Sequence, residues 1–69
     1  MEIDKKIVGK RIENERTRLG LTQQELAEKL GLKGKSSLSQ YENGSVLPSD
    51  DIKMKMCNIF ECTLDYLLR

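Results

Sequence analysis

Apolar residues recur along this 69-residue chain at helical spacing, and no stretch sustains the alternation of a strand. Val8, Ile12 and Leu19, with Ile7 beside them, form one stripe and predict a helix over about residues 5–19, closed by Gly20. Arg16 falls where that stripe calls for an apolar side chain, and a charge on an inward face needs a partner. Leu26, Ala27 and Leu30 predict a second helix over 23–30. Its start is written as a capping box, Thr22 with Glu25, and its stop as Gly31. A third helix, 35–43, buries Leu38 and Tyr41 and stops before Gly44. After Pro48, Ser49 reads as an N-cap, with Asp50 and Asp51 at the positive end of the helix dipole. Ile52, Met56, Ile59 and Phe60 then predict a helix over 50–60. Thr63 caps a last short helix, 64–68, with Leu64, Leu67 and Leu68 on its apolar side. Residues 1–4 read as a loose start.

Five short helices with brief connections imply an all-α fold, one small domain over residues 1–69. A core of this size is marginal, so it needs close helix packing or a partner chain. Aromatics are scarce, which leaves leucine, isoleucine and methionine to build that core. Met54 and Met56 read as packing residues, Met54 also as dimer surface. There is no histidine, and Cys57 and Cys62 are the only cysteines, so no zinc-ligand pattern exists. Both cysteines read as small core-facing hydrophobes in a reducing compartment, and no disulfide is expected. No signal peptide or membrane span is written in the chain, which points to a soluble cytoplasmic protein. The cysteines lack an evident base, and no glycine-rich phosphate loop or carboxylate pair stands out. Neither catalysis nor a cofactor is implied.

The net charge is only +1, so bulk electrostatics say little, but the charges are unevenly placed. Residues 5–18 carry Lys5, Lys6, Lys10, Arg11, Arg16 and Arg18 against Glu13 and Glu15, a local +4. Residues 29–41 carry Lys29, Lys33 and Lys35 and no acid, a local +3. Residues 48–69 sum to −1. The outward side of the third helix offers Lys35, Ser36, Ser37, Ser39 and Gln40, all hydrogen-bonding groups and none that repels phosphate. Two short helices joined by a tight turn, the second polar outside, suit entry into a DNA groove. Solvated surface accounts for Lys5, Lys6 and Lys10 equally well, and Arg11 and Arg18 stay open.

The strings GLTQQELAEKLGL and LSQYENG, then a proline, then a closing TLDYLL, together resemble the Cro/repressor-type helix-turn-helix family, also called Xre-like or lambda-repressor-like. The resemblance spans about Ile7 to Leu68. It implies a five-helix lambda-repressor-like DNA-binding domain of a bacterial or phage repressor, working as a homodimer on a near-palindromic operator. It places Lys35, Ser36, Ser37 and Gln40 at base edges, where glutamine suits adenine and lysine suits guanine. It places Gln23, Lys33, Ser39 and Asn43 at the DNA backbone, Gln23 also bracing a side chain of the recognition helix. It pairs Arg16 with Glu42, tying the first helix to the end of the third.

Three departures from the family pattern stand out. One extra residue lies between Gly31 and Leu38, so Gly34 takes the place of the usual Ser or Thr cap and the reading register can move by one. Ser45, Val46 and Leu47 occupy a loop that often carries lysine or arginine, which lowers non-specific affinity. Lys53 replaces a usually apolar residue. The near-neutral charge and the apolar Val46-Leu47 loop also fit a rival: a protein-binding module of the same fold, antitoxin-like or controlled by a protein antagonist. Tyr66, Leu67 and Leu68 fit either the core or a surface that pairs two chains.

Overall fold

The structure is a computed structural model and describes residues 3–68. Five helices follow one another: α1 (Lys5–Arg18), α2 (Gln23–Lys29), α3 (Lys35–Glu42), α4 (Asp50–Phe60) and α5 (Leu64–Leu68). No strand occurs among the described residues. The expected all-α fold is present. Three helices end one residue early, because Leu19, Leu30 and Asn43 are C-caps rather than helical residues. The loose start expected through residue 4 is corrected at Asp4. Its carboxylate accepts the Lys6 and Ile7 N–H groups at 2.9 and 3.4 Å and caps α1.

Each helix sends apolar side chains to one centre. Val8, Ile12, Leu26, Leu30, Leu38, Met56, Phe60 and Leu67 form the buried cluster. α1 lies between α3 and α5, α2 packs on α3, and α4 on α5. Ile7 and Met54, expected to pack, are 46% and 61% exposed, and two further core positions are corrected. Leu19 is 39% exposed, because the chain leaves the helix there and the stripe loses its register; Leu21 packs on the core instead. Leu64 is 42% exposed, since it opens α5 at the rim, while Leu67 below it is buried and Leu68 half-buried. Tyr66 is exposed, and Tyr41 packs against the core.

The charged residues around α1 hold the C-terminal helices. Arg11 donates to the Tyr66 carbonyl at 3.0 Å and lies over its ring, 5.7 Å from the centroid. Arg18 donates to Glu15 at 2.8 Å and to the Phe60 carbonyl at 3.1 Å, near the end of α4. Lys53 keeps its stem against the protein and reaches the exposed Asp50 at 3.3 Å. Glu61 ends α4 in the left-handed region, φ 57°, and the Cys62 N–H returns to the Cys57 carbonyl at 3.1 Å. Both cysteines are free, half-buried and packed on the core. Burial, then the neighbouring Cys57, pushes the Cys62 thiol up to about 11. Among the described residues, no helix is long and apolar enough to cross a membrane.

Candidate nucleic-acid interface

α2 opens on a complete capping box. Thr22 Oγ1 accepts the Glu25 N–H at 3.1 Å, and Glu25 Oε1 accepts the Thr22 N–H at 2.8 Å. These bonds, the backbone one foremost, hold the Glu25 carboxyl below its ordinary value. At the other end Gly31 adopts φ 77°, and the Leu32 N–H returns to the Ala27 carbonyl at 2.9 Å. Leu32 packs on the core, so the turn into α3 is anchored, while Lys33 points outward, exposed. Gly34 is the N-cap of α3 in extended backbone and supplies no side-chain bond.

α3 buries Leu38 and exposes Lys35, Ser36, Gln40 and the following Asn43. Ser36, Gln40 and Asn43 follow one another at i, i+4 and i+7, so they share one line. Ser37 and Ser39 are half-buried at the flanks of that line. α3 starts at Lys35, directly after Gly34, and its exposed line centres on Ser36 and Gln40. Asn43 Oδ1 accepts the Ser45 N–H at 2.9 Å, which fixes the carboxamide by its acceptor end.

The only acid of α3 is turned inward. Glu42 keeps 6% of its side chain exposed, against 13% for Arg16, with Arg16 Nε at 2.7 Å from Oε2. Arg16 Nη2 donates to Oε1 at 3.2 Å, making the pair bidentate. Arg16 Nη1 donates to the Leu21 carbonyl at 2.8 Å, and Gln23 Nε2 donates to Glu42 Oε1 at 3.0 Å. α1, α2 and α3 therefore meet at one carboxylate, and Arg16 ties in the loop before α2 as well. The hydrogen bond to Glu42 raises the Arg16 pKa, against the opposing pull of burial. Among the described residues, no buried side-chain nitrogen or oxygen lacks a partner.

Gly20, Gly31, Gly34 and Gly44 stand at helix boundaries, whereas Gly9 does not. It is a buried residue inside α1, set against the last carbonyls of α3. The available signal was its position: a glycine within a helical stripe marks a close approach of backbones. Gly44, by contrast, ends α3 with φ 82° and lies on the backbone of Lys6.

This geometry has known relatives. A helix-turn-helix family model matches residues 12–67. The HTH-type transcriptional regulator ImmR of Bacillus subtilis is 41% identical over 61 residues, which are 88% of this chain. The chain spans 47% of that relative's length. A crystal structure of the P22 c2 repressor with a synthetic operator superposes with a TM-score of 0.85 at 27% identity, covering 91% of this chain and 94% of that one. A crystal structure of SinR, the master regulator for biofilm formation, in complex with DNA gives 0.80 at 33% identity, covering 90% and 98%. With most of its length matched by the family model, the chain belongs to the helix-turn-helix family, of the Xre-like, lambda-repressor-like type.

Proposed function

We propose that this chain is a sequence-specific, double-stranded DNA-binding transcriptional regulator of repressor type, with α3 read into the major groove. The observation that carries this reading is the acid-free outer face of α3. Its one carboxylate, Glu42, is buried and paired with Arg16, which leaves Lys35, Ser36, Gln40 and Asn43 outside. DNA repels an exposed carboxylate and rewards such donors. The relatives bound to operator and to DNA support the same reading.

In this arrangement Lys35, Ser36, Ser37 and Gln40 meet base edges. Gln40 can bond adenine through both ends of its carboxamide, and Lys35 suits the guanine acceptors. Gln23, Lys33, Ser39 and Asn43 meet the DNA backbone. Gln23 has two N–H donors and spends one on Glu42, so the other suits a phosphate. Two copies, paired over apolar surface that includes the exposed Leu64 and Tyr66, would set their α3 helices roughly 34 Å apart.

The test is titration of a labelled random duplex at low and high salt. Binding at low salt that weakens steeply as salt rises is the expected result, because phosphate contacts release counterions. No binding even at low salt would reject this reading in favour of a protein-binding module of the same fold.

A further inference from the structure

We infer that Gly9 is a positioning residue for DNA readout: it sets the tilt of α3 by letting the last carbonyls of that helix rest on the backbone of α1. The inference rests on the DNA-binding reading proposed above. A helix interior disfavours glycine, so helix stability does not explain its presence. A Cβ built at Gly9 would stand 2.5 Å from the Glu42 carbonyl oxygen, 2.8 Å from its carbon, and closer still to the Tyr41 oxygen. Real Cβ atoms essentially never come within 3.0 Å of such neighbours. All three neighbours are backbone, which cannot swing aside as a flexible side chain can. Only a hydrogen fits between the two helices.

The contact belongs to a seam. Gly44, just past α3, lies against Lys6, where a Cβ would stand 3.0 Å from the Lys6 Cα. Lys6 and Gly9 are one turn apart on α1, and Arg16 lies two turns beyond Gly9 on the same helix. Arg16 and Gln23 hold the Glu42 side chain while Gly9 receives its backbone. A methyl at position 9 must therefore lift the C-terminal end of α3 while the Glu42 tether stays, and the helix rotates. Readout tolerates a displacement of only about 0.5 Å before well-placed contacts are lost. Asn43 lies at the end that moves, with Gln40 a turn before it.

The experiment uses the full chain, the duplex it prefers after selection, and a random duplex of equal length. Affinities of wild type and Gly9→Ala for both are measured at one salt concentration, with the folded fraction read by circular dichroism. Folded Gly9→Ala is expected to bind its preferred duplex about tenfold or more weakly, while random-duplex binding stays within about twofold. A merely structural defect lowers both by one factor and leaves their ratio unchanged; an unchanged ratio overturns the inference. Gly9→Ala is also made in a Glu61→Gly background, which relieves the left-handed residue ending α4 and leaves the seam untouched. If neither variant folds, Gly9 serves folding rather than tilt, and the inference is likewise overturned. Failure of the wild type to bind any duplex would reject the DNA reading itself, and this inference with it.

Discussion

At its C-terminal end α3 meets α1 backbone at Gly9, a bidentate Arg16–Glu42 pair, the Gln23 brace and the Asn43 turn. At its N-terminal end it begins on Gly34, with no side-chain cap, and exposes Lys35 and Ser36. One end of the helix is fixed to the protein by backbone and buried charge. The other end is held only by the Leu32 turn before it and offers its polar side chains to solvent and, in the DNA reading, to the groove. The contrast teaches where orientation is set and where chemistry is offered. A helix clamped along its inner face and at one terminus can change its exposed residues without losing its angle.

The clamp is the place to break this contrast most severely. Arg16→Met or Glu42→Gln leaves a buried charge with its main partner gone, at an expected cost of about 3–5 kcal/mol. Small domains hold only roughly 5–15 kcal/mol, so either variant should sit near its unfolding midpoint. Urea melts of both variants and of the double variant check this. Coupling requires the double variant to lose less than the sum of the two, and simple additivity would remove it. At the reading end, Gln40→Ala is expected to leave urea stability nearly unchanged and to weaken the preferred duplex by about 1–3 kcal/mol in a titration.

The start of α2 offers a milder change. Thr22→Ala removes a cap and should cost about 1 kcal/mol in urea melts. Its partner Glu25 adds a pH signature. Because the folded carboxyl lies below its ordinary value, its contribution is complete above that ordinary value and is lost as pH falls through the lower, folded one. The urea midpoint of wild type should therefore exceed that of Glu25→Gln at pH 7, and the gap should close on acidification toward pH 3. The smallest effect is at the uncapped end of α3. Gly34→Ser restores a side-chain cap to α3 and should stabilise by only a few tenths of a kcal/mol. A loss of stability there would show that the N-terminal end is less free than its exposure suggests.

Local chemistry explains which parts of this molecule were legible in its sequence. The capping box at Thr22, the stop at Gly31 and the Ser49 cap are short-range signals, and the helices begin where those signals stand. Ser49 Oγ accepts the Ile52 N–H at 3.4 Å, as an N-cap should. Arg16 was conspicuous because a charge interrupted an apolar stripe, and the family resemblance supplied its partner Glu42 and a bracing role for Gln23; that Gln23 and Arg16 converge on the same Glu42 oxygen needed three dimensions. Leu19 and Leu64 were misplaced because periodicity describes a helix of indefinite length, and both lie at helix ends where the core has run out. Gly9 was legible only in part: a glycine inside a helical stripe signals a close approach, but not of what. Its significance lies in the carbonyls of Tyr41 and Glu42, more than thirty residues away, and no local pattern records that distance.

The most direct measurement is selection of bound sequences from a pool of random duplex DNA, run in parallel with wild type and Gln40→Ala. Wild type is expected to enrich two half-sites about one helical turn apart, and Gln40→Ala to relax one position within each. No enriched motif, or the same motif equally sharp from both proteins, would contradict the assignment of α3 as the surface that reads DNA.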